Sequence, residues 1–174
     1  MTMQTDVLSG HLHQSGFIVL QQPSRIKAVS IKGNASAAGQ FDLYSTTIAP
    51  VAATYAQSGT TITVTKTAHG LQSGARVGIS FVDGTGGCGF NGNYTITVLT
   101  SSTFTVTSPN SATIAAAAAC NYVSGNQASW LMTFETTSGD TYQNYFLLPG
   151  EGVRSLLPTY AYMSGIDVAT VFYG

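Results

Sequence analysis

The sequence predicts an all-β protein: a β-sandwich host domain, jelly-roll-like, carrying an inserted small β-barrel or meander. Three observations carry this. Only 7% of the 174 residues are charged and Gly occurs 19 times, so helix-forming Glu, Lys and Arg are scarce while turn residues abound. Runs rich in Thr, Val, Ile, Tyr and Phe recur every 8 to 12 residues or so, the rhythm of a sandwich. The chain also changes character twice, near residues 50 and 127.

The first strand is "GFIVL" (Gly16 to Leu20). "RIKAVSIK" follows, with Ile26, Ala28 and Ser30 set against Arg25, Lys27, Val29 and Ile31. Its alternation is imperfect, but it still predicts a strand with one wetter face. "GNASAAG" is a small-residue loop. "QFDLYS" alternates cleanly, with Phe41 and Leu43 on one side and Asp42 and Tyr44 on the other. "TTITVTKT", "ARVGISF", "NYTITVLT" and "TFTVTS" predict four strands joined by "AHGLQSG", "VDGTGGCGFNG" and "SS". "ATIAAAAACNYV" pits the helix propensity of five alanines against strand-like flanks, and is assigned as a strand. "SWLMTFE" puts Trp130, Met132 and Phe134 on one face. "NYFLLPGEG" runs into a Pro-Gly turn, and "VRSLL", "TYAYMS" and "VATVFYG" close the series.

From about Pro50 to Asn126 the chain is rich in Thr, Ser, Gly and Ala. The expected organisation is a discontinuous host, 1–50 plus 127–174, with an inserted domain at 51–126. Insertions of this kind enter surface loops. The rival is one larger sandwich using every strand.

A net charge of −1 with scattered Lys and Arg speaks against nucleic acid as a partner. No apolar run reaches the roughly 18 to 20 residues that span a bilayer, so no membrane is expected. The start shows no basic-then-apolar pattern of a secretory signal, and synthesis without export is the expectation. So few charges give little repulsion between copies, which favours a component of an assembly.

No cofactor and no catalytic residue is assigned. His69, in "KTAHGLQSGARVGISF", is expected in a turn. His11 and His13 share one face of an extended segment, but no third metal ligand lies near them. A polar arm resting on a neighbour fits them better. "GTGGCG" lacks the ending and the helix of a phosphate loop. Cys88 and Cys120 form no metal-binding spacing; they are two separate thiols, or a disulfide if their loops meet. Asn91-Gly92 is expected in a tight turn. In "LLPGEGVR", Pro149-Gly150 fits the middle of a type II turn. Glu151 and Arg154 are expected to pair with each other or with a neighbouring subunit, or to be plainly solvated. Tyr is frequent near the C-terminus and enriched at interfaces, so Tyr160 and Tyr162 join His11, His13, Glu151 and Arg154 as candidate interface residues. A glycan hydrolase would need paired carboxylates, and Glu135 and Glu151 are the acids to test.

The stretch "TITVTKTAHGLQSGARVGISFVDG…NGNYTITVLTSSTFTVT" resembles a small β module of tailed-bacteriophage virion proteins. The shared pattern is a Thr/Val strand, His-Gly-Leu-x-x-Gly, a Val-x-Ile strand, Asn-Gly-x-Tyr and a Thr-Phe-Thr-Val strand, over about residues 60 to 107. "GGCGF" is not part of that pattern. The flanks are more loosely similar to small phage structural proteins. The resemblance implies a virion structural role, most simply head decoration (cement). Such a protein is made in the host cytoplasm, sits on the capsid surface, binds the major capsid protein, and is often a homotrimer or other homo-oligomer. A tail adaptor, nozzle or receptor-binding component is the alternative, and a glycan hydrolase the remote one.

Overall fold

In the computed structural model, residues 7–19, 23–82 and 87–174 are described. The described chain is all-β. Its strands are β1 (Leu8–Leu12), β2 (Gly16–Val19), β3 (Ser24–Gly33), β4 (Gly39–Ser45), β5 (Val51–Thr65), β6 (Arg76–Phe81), β7 (Gly92–Thr95), β8 (Thr97–Thr100), β9 (Thr103–Ser124), β10 (Ser129–Thr136), β11 (Gln143–Leu147), β12 (Val153–Ser155), β13 (Thr159–Ser164) and β14 (Ile166–Tyr173). The chain divides into two compact units, Met1–Thr47 with Leu131–Gly174, and Ile48–Trp130.

The first unit is sandwich-like. One sheet, here called sheet A, runs β1-β14-β3-β11, with β12 also on β3; the other, sheet B, runs β10-β4-β13-β2. Between them pack Ile26, Val29 and Ile31 of β3, Phe41 and Leu43 of β4, Ala161 of β13, and Ala169 and Val171 of β14. The imperfect alternation of β3 has a structural cause. Phe172 of β14 faces Ala28, while Tyr173 faces Ile26. Lys27 is therefore an extra residue, a β-bulge, and the side chains beyond it change face. The bulge lets Ile26, Val29 and Ile31, which a regular strand would split, all reach the core. In β4 both faces are buried, Asp42 and Tyr44 as fully as Phe41 and Leu43. Gln40 Nε2 donates to both Asp42 carboxylate oxygens (3.1 and 3.0 Å), and Thr133 Oγ1 donates to Oδ1. These bonds offset the cost of burying the carboxylate.

The second unit is one sheet of order β5-β9-β6-β7, with β8 also on β9. It is not a closed barrel. "VAATYAQSGT" joins "TTITVTKT" in the single strand β5, and "TFTVTS" joins the alanine run in β9. "NYTITVLT" instead splits into β7 and β8. The break falls at Ile96, whose N–H and C=O bond to Ala75 and Gly74 while its side chain enters the core.

Phe104 and Tyr122 lie on the same strand, 18 positions apart (122 − 104). A straight strand would hold them about 59 Å apart, yet their ring centroids are 5.6 Å apart, edge to face. The register explains how. Between Tyr55 and Gln57, β5 advances two residues while β9 goes from Ala118 to Ile114, four. Between Gly59 and Thr61, β5 again advances two while β9 goes from Ala112 to Thr107, five. The surplus residues bend the ribbon back on itself. Gln57 holds the bend, its Nε2 donating to the carbonyls of Gly59 (2.9 Å) and Asn110 (2.7 Å). Gly59 and Ala117 take positive φ of 61° and 74° at these irregularities. At Gly78 a Cβ would come 2.1 Å from the Trp130 nitrogen; Asn93 completes that approach by bonding Trp130 through both its amide atoms (2.9 and 3.0 Å).

Cys88 and Cys120 are both free. Cys120 is in the core and Cys88 packs half-buried against it. The Cys88 thiol contacts the carbonyl oxygens of Phe81 and Gly89, each at 3.2 Å. Burial pushes the Cys120 thiol up to about 12.

Replacing Phe104 with Ala removes the ring that joins the two ends of the ribbon. Denaturant unfolding should report a loss of about 3 to 5 kcal/mol. Cys120 stays a protonated, enclosed thiol at pH 8, and the thiolate is the reactive form. Titration with an aromatic disulfide reagent at that pH should therefore modify Cys88 alone in the native protein, and both cysteines after unfolding.

Candidate interaction face

The residues singled out in the sequence fall on two faces of the first unit. Across sheet A, one outward row reads Tyr145–Ser30–Thr170–His11 and the next Leu147–Ala28–Phe172–Ser9. His11 is exposed and its Nδ1 lies 2.9 Å from Thr170 Oγ1. The His13 ring packs edge-on against it at 4.9 Å. Tyr160 and Tyr162 are on β13, in sheet B. Tyr160 stacks on Phe17 at 5.0 Å, and Tyr162 stands opposite Asp42. Sheet A's face thus collects His11, with Glu151 and Arg154 at one end, but not the two tyrosines.

Glu151 and Arg154 do not form an ion pair with each other. Glu151 Oε2 lies 3.9 Å from Lys27 Nζ, and the glutamate side chain is 81% exposed. The turn that contains Glu151 is displaced by one residue from the expected one: Gly152 N–H bonds Pro149 C=O (3.3 Å) and Gly150 has φ 63°. That is the II′ arrangement, with glycine first of the two central residues. Arg154 instead stands opposite Arg25 across the β12–β3 ladder. Like charges directly opposite are destabilising, and neither has a carboxylate within 4.0 Å among the described residues.

The β11 end of these rows carries exposed hydrophobic side chains. Tyr145 and Leu147 are 60% and 72% exposed, and Tyr145 packs edge-on against Phe172 at 5.9 Å. Beneath them β3 presents only Ala28 and Ser30. The result is a groove of about 330 Å³, lined by Val7, Lys27, Ala28, Tyr145, Leu147 and Phe172 among others. Sequence reasoning did not select Tyr145 or Leu147. Their signal was the alternation in "QNYFL", where Phe146 turns inward and its neighbours outward.

The other candidates are engaged locally. Leu71 N–H donates to His69 Nδ1 (3.0 Å), so Nε2 carries the proton and faces the Thr100 carbonyl at 3.0 Å. His69 stacks on Phe104 and fastens the turn, between Ala68 and Gly70 at positive φ. Asn91 accepts from Phe81 N–H through its side chain (2.7 Å). Asp140 accepts from Asn144, and Asp167 from Asn34. No cluster of three metal-binding side chains occurs among the described residues. Leu20, Asp6, Asp83 and 84–86 of the glycine-rich stretch lie outside them.

No family model and no curated protein matches this chain. Among solved structures, one match is the phage phi92 endosialidase, with a TM-score of 0.32 and 23% identity, covering 81% of this chain and 20% of that one. The chain thus spans a fifth of that protein's length, and a likeness at this level carries no argument.

Proposed function

We propose that this protein is a structural component of a bacteriophage virion, working as a decoration (cement) protein that docks on the capsid shell and binds the major capsid protein. The observation that carries the reading is the outer face of sheet A. A groove walled by Tyr145, Leu147 and Phe172, with Lys27 and Glu151 also on its lining, lies beside the Arg25–Arg154 pair, which has no carboxylate partner among the described residues, on a chain with thirteen charged residues (6 + 7) in all. A monomer gains nothing from exposed Tyr145 and Leu147 or from two opposed arginines. A partner with an apolar ridge and nearby carboxylates removes both costs. The phage-like pattern of residues 60 to 107 supports the virion as the setting. Burying such faces at many lattice positions reinforces a shell by mass action as well as by contact.

Purified protein added to undecorated, expanded capsids should bind to saturation at hundreds of copies per particle. Val7→Asp, which puts a carboxylate on the groove rim, should weaken that binding at least about tenfold, equivalent to about 1.4 kcal/mol. No binding to capsids, together with a ring of six or twelve copies labelled at the tail, would move the protein to a tail adaptor or nozzle.

A further inference from the structure

We infer that β11 is a self-pairing edge: two copies of this chain join by antiparallel β11–β11′ pairing about a two-fold axis at Tyr145. The inference concerns the backbone edge of sheet A, whereas docking uses its face, though Tyr145 and Leu147 border both.

The backbone supplies the first argument. Among the described residues β11 has a strand neighbour on one side only, β3. Leu148 N–H bonds the Lys27 carbonyl at 2.9 Å, continuing the β11–β3 register in which Leu147 faces Ala28. Antiparallel bonding alternates along a strand. Phe146 and Asn144 therefore point their backbone groups at β3, while Gln143, Tyr145 and Leu147 point theirs at the open edge. A row of this kind is a template for another strand.

The second argument is what the edge lacks. Natural edges are protected by charge, proline, bulges or covering loops. From Thr141 to Leu148 the sequence has no Asp, Glu, Lys, Arg or Pro, and the β11–β3 register contains no bulge. The side chains beside the edge are instead apolar and exposed: Tyr142 80%, Tyr145 60% and Leu147 72%.

The third argument selects a second copy as the occupant. An antiparallel pairing centred on one residue is its own complement, the form a two-fold contact requires. With Tyr145 opposite Tyr145′, Gln143 falls opposite Leu147′. Every outward N–H then meets an outward carbonyl of the other copy. Both tyrosine rings lie on the same face of the joined sheet, where aromatic cross-strand pairs stabilise. No charge on the segment meets its own copy. At 150 to 250 Å² per aromatic side chain, the three exposed residues offer roughly 400 Å² per copy. The total of about 800 Å² falls below the standard interface, so the association is weak and concentration-dependent. Pairing also makes two sheet A faces continuous.

The test is sedimentation equilibrium of the purified full chain from about 1 to 300 μM, the range in which so small an interface assembles. The expected result is a mass rising from one chain to two. Tyr145→Lys sets like charges opposite each other and should raise the dissociation constant at least tenfold, with the melting temperature at low concentration unchanged. If that variant does not fold, Tyr145→Cys decides. A hydrogen-bonded antiparallel pair holds its Cα atoms about 5.5 Å apart, within disulfide reach. Mild oxidation with copper phenanthroline should therefore yield a covalent dimer that reductant splits and that the unmodified protein does not form. A wild-type monomer at the highest concentration, a trimer, a dimer indifferent to Tyr145→Lys, or no cross-link through a folded Tyr145→Cys would each overturn the inference. The solution mass reads self-association alone, so failure to bind capsids leaves it intact.

Discussion

The register of β3 decides what the first unit shows to its core and what it shows to solvent. A strand has period two, so Ile26 and the pair Val29 and Ile31 fall on opposite faces of any regular β3. One extra residue at Lys27 removes the conflict. All three then enter the core, and full burial of such side chains is worth about 1.5 to 3 kcal/mol each. The same bulge turns Ala28 and Ser30 outward. Those small side chains form the low floor between Leu147 and Phe172, and the groove exists because the floor is low. Core packing and the proposed docking face are thus two consequences of one register shift.

The second unit uses surplus residues at a larger scale. A long two-stranded ribbon has no core of its own, because side chains at its two ends are far apart. Adding residues to β9 but not to β5 forces the ribbon to bend until its ends meet. Phe104 can then pack on Tyr122. The bend carries a local cost, since Ala117 adopts a conformation that suits glycine better. Gln57 offsets part of it by donating to two carbonyls at the bend. His69 does comparable work at a nearby turn. His69, expected in a turn from the sequence, is held there by its hydrogen bonds, both ring nitrogens being engaged with backbone.

Strand identity was legible where period two is strong. "QFDLYS", "SWLMTFE" and "TYAYMS" are strands with close to their expected limits, and the all-β class followed from composition. What escaped sequence reasoning was each place where a residue is inserted or a run is broken. The bulge at Lys27 looked like weak alternation. "VAATYAQSGT" was assigned to no strand, because its partner is the alanine run some 60 residues away and its own alternation is weak. Ile96 sits inside what looked like one strand and divides it in two. For the candidate face, His11, Glu151 and Arg154 could be chosen from sequence as exposed polar groups. Tyr145 and Leu147 were missed although "QNYFL" alternates, because alternation shows which residues share a face and not which face meets the core. Tyr160 and Tyr162 were chosen for being tyrosines, and the fold places them on the other sheet.

The distribution of charge bears on how docking would be selective. Most of this surface is uncharged, so a partner cannot be oriented by a general field. The basic groups that face solvent together are Arg25 and Arg154, at one end of sheet A, and beside them Lys27 is already paired with Glu151. A small charged end on a neutral face contributes less to affinity than to orientation, because it favours one direction of approach and penalises the reverse. In the proposed docking the groove would then contribute most of the binding energy, through removal of Tyr145, Leu147 and Phe172 from water. Retaining two opposed arginines costs the free protein a few tenths of a kcal/mol to about 1 kcal/mol. Among the described residues nothing on the chain relieves that repulsion, and a partner surface with carboxylates would.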